Sequence, residues 1–204
     1  MRLFFLLIVF GAGQAVAGLR ADGEFVYDGY EIDKRIIESC LETAALRGNI
    51  HQLFDNMRPC IGQASSACMD ANDLSGNGLY DRRTYLGCAG AETQFWHQKI
   101  GLAVQRLKVW ADDRGGENPN APDAPKNALL KLAKIWPEFI EAKCTWVAGA
   151  YFGGRQAGIS TTLCEMRQYG LQALELEIEV ISRCSGQRYA RFDEICKNIS
   201  DASE

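Results

Sequence analysis

A membrane-spanning helix needs about 20 consecutive apolar residues, and nothing in this chain of 204 residues comes near that: the longest unbroken apolar run is Leu3 to Phe10. Cysteine never occurs as C-x-x-C, and histidine is scarce, with His51 and His97 both away from any cysteine at zinc-ligand spacing. A dithiol redox centre, a zinc site and a cofactor site are therefore not indicated. The chain has no G-x-S-x-G elbow and no nucleophile and carboxylate set around either histidine, so it reads as a non-enzyme. Basic residues are in deficit, 22 Lys and Arg against 26 Asp and Glu, which makes nucleic acid a poor partner. No segment shows the strict alternation of a half-buried strand, and no internal repeat is present. With only 5 prolines beside 20 glycines and 47% hydrophobic residues, the chain is neither collagenous nor disordered.

The first residues have the form of a leader. Met1-Arg2 supplies a positive charge, Leu3 to Phe10 an apolar core, and Ala15-Val16-Ala17 the small residues of a cleavage site. Residues 1–17 are expected to leave as a signal peptide, and 18–204 to form one helical domain. Position 18 is Gly, not the Cys of a lipoprotein, so no stable membrane insertion is expected after cleavage, and the protein is placed in the periplasm or outside the cell. Cleavage removes Arg2 and no acid, which takes the net charge from −4 to −5. A field of that sign favours cationic partners. The eight cysteines, Cys40, Cys60, Cys68, Cys88, Cys144, Cys164, Cys184 and Cys196, fit disulfides formed in an oxidising compartment, although eight cysteines allow 105 pairings.

Helical periodicity runs through most of the remainder. Ile32, Ile36, Ile37, Cys40, Leu41, Ala44 and Ala45 predict a helix over Glu31–Leu46, and a short helical stretch follows around His51–Asn56. Pro59 is suited to open the next helix, on which Cys60, Ile61, Ala64, Ala67 and Cys68 share a face. Asp70–Asp81 reads as a loop. A long helix is expected over Arg83–Ala111, with Ala89, Trp96, Ile100, Ala103, Leu107 and Trp110 inward, and a break over Asp112–Pro125. Helix resumes near Lys126 with Leu129, Leu132, Ala133, Trp136, Phe139, Ile140 and Val147 on the buried side, and Pro137 should kink or break it. Tyr151–Gly158 reads as a tight connection. Thr162 and Glu165 are spaced as a capping box for the last long helix, and a short tail helix is expected at Arg191–Lys197. The fold class is all-α, a disulfide-stapled bundle of three long helices running up-down-up with shorter N-terminal helices alongside.

Some residues invite functional readings. Asp73-x-Ser75-x-Asn77-Gly78 with Asp81 follows a calcium loop, but its twelfth position is Thr84 where the bidentate Glu belongs, so no metal site is assigned. Glu92 with Glu138 or Glu141 is a conceivable carboxylate pair across antiparallel helices, without the constellation that would make it catalytic. His97 beside Trp96 reads as a surface or packing residue. Glu175, Glu177 and Glu179 spread round a polar helix face, where solvation is the ordinary explanation. Tyr151-Phe152-Gly153-Gly154-Arg155 carries two readings. Its glycines permit a helix-helix turn while its aromatics cap the core, or its aromatic and Arg side chains anchor a protein interface.

Trp136 eight before Cys144, then Gly153-Gly154, then Cys164, together with Trp96, Ile100 and Val104 at fixed offsets from Cys88, resemble the lysozyme inhibitor LprI-like family of bacterial exported proteins. Cys60-Ile61-Gly62 through Cys68-Met69 resembles its alphaproteobacterial members. The resemblance covers roughly residues 40–182, with the family core at about 60–182. It implies a stoichiometric inhibitor or binding protein whose partner is a lysozyme or other cationic envelope protein, with Trp96 and Trp136 as motif core and Tyr151–Arg155 as candidate contact. Three usually polar family positions are His97, Gly101 and Ile140 here. A hairpin turning at Gly153-Gly154 sets Cys144 level with Cys164, which favours Cys144–Cys164, Cys68–Cys88, Cys40–Cys60 and Cys184–Cys196. The rival set joins Cys88 to Cys144 and Cys68 to Cys164.

Overall fold

The computed structural model describes residues 25–47, 51–73, 76, 78, 80–117, 124–186 and 196, with the side chains of 113–117, 124–125 and 185–186 excepted. The expected leader and most of the expected tail helix lie outside the described residues. The architecture is an all-α bundle with a small hairpin at its N-terminal end. Strands β1 (Phe25–Tyr27) and β2 (Tyr30–Ile32) precede the short helices α1 (Lys34–Ala45), α2 (Leu53–Met57) and α3 (Gln63–Ala71). The long helices α4 (Arg82–Glu117), α5 (Ala124–Gly149) and α6 (Gly154–Gly186) follow.

The hairpin corrects the expectation that no strand would form. Asp28 and Gly29 both take positive φ, 51° and 84°, as a two-residue turn between twisted strands requires, and Asp-Gly is the dipeptide best suited to it. Phe25 pairs with Ile32 and both are buried. Glu31 and Ile32 therefore belong to β2, and α1 begins only after Asp33, whose carboxylate accepts from the Arg35 amide at 3.0 Å. The ring of Tyr30 lies against Gly87 of α4, where a Cβ would come within 2.1 Å of it, and Tyr27 lies against Gly90 in the same way at 2.6 Å. Two glycines one turn apart thus let the hairpin press onto α4.

Pro59 does not open α3. It sits in a 3-10 turn, Arg58–Cys60, and the chain reverses at Gly62, φ 93°, before α3 starts. Helix α4 runs past the expected stop at Asp112 to Glu117. In α5, Pro125 occupies the first turn, where its missing donor costs nothing, and the helix continues through Pro137, which lies on the exposed side. Helix α6 starts at Gly154 and not at Thr162. The Thr162 hydroxyl donates back to the Gly158 carbonyl at 3.2 Å and caps nothing.

The disulfides join Cys40 to Cys60, Cys68 to Cys88, Cys144 to Cys164 and Cys184 to Cys196, so the rival set is not formed. Cys144–Cys164 clamps α5 to α6 on either side of their turn, and a Lys126–Asp112 ion pair at 2.5 Å ties the start of α5 to the end of α4. Two apolar clusters form the core. The larger lies under the hairpin and short helices and includes Phe25, Ile37, Met57, Phe95, Trp96 and Leu174. The smaller gathers Ala103, Leu107, Trp110, Leu176 and Val180, with Trp136 of α5 packed against it.

Candidate partner-binding site

The α5–α6 turn begins with ordinary helix-end hydrogen bonding. Ala150, Tyr151 and Phe152 donate their amides to the carbonyls of Val147, Ala148 and Gly149 at 3.4, 3.0 and 3.1 Å. Three residues in succession then take left-handed φ: Phe152 at 50°, Gly153 at 85° and Gly154 at 82°. Glycine adopts this without strain, whereas a Phe held there costs about 1–2 kcal/mol. Phe152 is 100% exposed and Tyr151 half exposed, so these aromatics do not cap the core. The turn presents an aromatic side chain to solvent at an energetic cost, on a hairpin fixed by Cys144–Cys164.

The N-termini of α4 and α6 lie at this same end. Built on Gly158, a Cβ would meet the Arg82 guanidinium at 2.9 Å. The amide of Thr84, which donates to Asp81 at 2.8 Å as α4 begins, holds the Asp81 carboxyl below its ordinary pKa, and the charge of Arg155 adds a small share in the same direction. Exposed Arg82 and Arg83 at the start of α4 and exposed Arg155 at the start of α6 thus stand at this end of an acidic chain. Arg83 also faces Asp28 at 3.6 Å.

Other candidate residues fall into structural roles. Trp96 is buried and donates its indole N–H to Glu92 at 2.9 Å. Glu92 is fully buried too. Its oxygens also accept from the amides of Gly62 at 2.6 Å and Ser65 at 2.7 Å, so a carboxylate on α4 caps the start of α3, which has no side-chain cap of its own. Burial raises the Glu92 pKa, against the lowering effect of those three donors. Glu92 therefore does not stand as half of a carboxylate pair with Glu138 or Glu141. Glu141 instead acts on Glu165, whose pKa is raised chiefly by burial and then by that neighbour. In the acidic stretch of α6, Glu177 pairs with Arg106 at 3.2 Å and Glu179 with Arg183. Asp73 accepts from the amides of Gly76 and Gly78 at 3.1 and 2.7 Å, which occupies the first position of the calcium-like loop. No cluster of metal-ligating side chains occurs among the described residues.

The structure also places the three residues that differ from the family the sequence resembles. His97 rests on Tyr169 with ring centroids 3.9 Å apart, and partial desolvation lowers its pKa. Gly101 faces open space, and Ile140 is buried. No family model, curated protein or solved structure matches the chain.

Sequence reasoning missed one surface. Leu132, Phe139 and Val147, expected on the buried side of α5, are 47%, 56% and 43% exposed, and Ile135 and Trp146 are exposed with them. The inward line is Leu129, Ala133, Trp136, Ile140, Cys144 and Ala148. The outward one recurs at three and four just as regularly, which is the signal that would have found it.

Proposed function

We propose that the protein is an exported, non-enzymatic binding protein, similar to LprI-type lysozyme inhibitors, that acts in the periplasm or outside the cell by occluding a partner's cleft with its α5–α6 tip. The observation that carries this reading is Phe152, fully exposed in a left-handed conformation beside Arg155 on a disulfide-clamped hairpin. Strain held at a surface turn is a mark of a residue kept for contact, and aromatic and Arg side chains are the usual anchors of interfaces. The clamp lowers the ordering cost of binding. Glycoside hydrolases act through a pair of carboxylates, and an aromatic tip with Arg155 beside it is complementary in charge to such a cleft. Recognition on this reading is local to the tip, whatever the net charge of the two proteins.

The test is inhibition of lysozymes of more than one class by the purified, oxidised protein. Stoichiometric inhibition is expected, weakened at least about tenfold by Phe152→Ala or Arg155→Glu. No inhibition at saturating protein would remove the reading. A second reading, an envelope interaction module with a partner other than a lysozyme, is favoured by one observation: Ile140, at a usually polar family position, is sealed in the core. Recovery of a single non-lysozyme protein from envelope extract, lost on Phe152→Ala, would select it.

A further inference from the structure

We propose that the outward face of α5 is a self-association surface on which a second copy of the chain docks, α5 against α5 in antiparallel orientation. Ala128, Leu132, Ile135, Phe139, Ala142 and Trp146 follow one another at intervals of four, three, four, three and four. This is the heptad seam of a coiled coil, and it lies on the side of α5 turned away from its own bundle. The seam alternates in size in a way that fits its own reverse. Antiparallel pairing centred near Pro137 sets Leu132 against Ala142 of the second copy, Ile135 against Phe139, and Ala128 against Trp146, so each large residue meets a smaller or complementary one.

Area agrees with this occupant. On one flank the exposed Lys143 donates to Gln168 at 2.8 Å and lies over the Phe139 ring, 5.8 Å from its centroid. At the observed exposures of Leu132, Ile135, Phe139 and Trp146, 47%, 44%, 56% and 70%, the seam offers on the order of 400 Å² of apolar surface per copy. A standard interface buries about 800 Å² per partner, a little over half of it apolar. The seam therefore supplies the apolar part of one such interface. In this pair the two Phe152 tips point away from each other at opposite ends, roughly 45 Å apart by the helical rise, and both stay free.

The experiment is sedimentation equilibrium of the full, oxidised protein from about 1 μM to about 500 μM, which covers the weak end of protein association. The mass is expected to rise from one copy to two. Phe139→Glu should weaken the pair at least about tenfold, whereas Leu130→Glu, also an exposed leucine of α5 but off the seam, should leave it unchanged. Circular dichroism melts of both variants identify any loss that comes from misfolding. A photo-crosslinking residue at Ile135 should join two copies through their α5 helices. A single-copy mass throughout, or association that survives Phe139→Glu, overturns the proposal. So does a monomer that instead sediments with anionic phospholipid vesicles, since the same face would then be a lipid surface. Lysozyme inhibition lost in Phe152→Ala but kept in Phe139→Glu separates this proposal from that of the tip.

Discussion

The start of α4 beneath the hairpin and the outward face of α5 treat apolar surface in opposite ways. Under the hairpin, α4 is enclosed on every side: Cys88, Ala89, Ala91, Phe95 and Trp96 are all within 1% of full burial, and the one acid among them, Glu92, has its oxygens taken by three donors. Helix α5 is enclosed on one side only. Its inward line meets α6 and α4, and its outward line leaves a Leu, an Ile, a Phe and a Trp in water. The first arrangement is what stability demands. The second gains nothing for an isolated chain, because apolar groups left in water contribute no burial energy. A contiguous exposed patch of this kind points to an interface.

The contrast can be broken most forcefully at Glu92. Glu92→Ala leaves three buried donors without an acceptor and is expected to cost about 3 kcal/mol or more in urea unfolding. Glu92→Gln should cost less, since an amide oxygen still serves part of the set. The pH response has a definite sign. With its pKa raised on folding, Glu92 contributes stability that is fully present below the ordinary glutamate pKa and lost as pH rises through the folded value. Unfolding of Glu92→Gln across that window should lack this contribution, and an unchanged profile would show that the carboxyl is not its source.

Next come the disulfides. Cys68–Cys88 and Cys144–Cys164 each join residues 20 apart, so replacing either pair by Ser should cost about 3 kcal/mol. The two should part company in function. Only the loss of Cys144–Cys164 is expected to weaken partner binding at temperatures where both variants remain folded. Gly87→Ala follows, at about 1–3 kcal/mol, because its methyl group would enter the ring of Tyr30. Phe152→Gly should stabilise by up to about 1 kcal/mol by relieving the left-handed turn, while weakening the partner. The smallest effect on stability is expected on the outward seam. Phe139→Glu should shift unfolding by no more than about 0.5 kcal/mol at low concentration, and a large loss would place that side chain in the core after all.

The long helices were legible in the sequence because their periodicity is extensive, whereas level positions across helical hairpins suited both Cys144–Cys164 and Cys88–Cys144 and left two disulfide sets open. What escaped did so for identifiable reasons. Three-residue strands cannot display alternation, and the Asp28-Gly29 turn was the only signal they left. Thr162 and Glu165 have the spacing of a capping box, but a helix already begun at Gly154 needs no cap there. Helix α5 carries two apolar lines, and periodicity alone merges them into one buried side. The use of Glu92 depends on amides 27 and 30 residues away, for which no local pattern exists. At the tip, the residues were evident from Gly153-Gly154, but not the direction of Phe152, because exposure is decided by the sign of φ at one residue.

Each disulfide joins a cysteine to the very next one along the chain. No bridge encloses or crosses another, so a chain emerging N-terminus first into an oxidising compartment can close every bond with the last unpaired cysteine to have appeared. The correct order of oxidation is then the order of emergence. Such a protein can mature without a step that breaks a wrong bond, and it should reach its oxidised form with a simple oxidant where a chain with crossed bridges would wait for an isomerase.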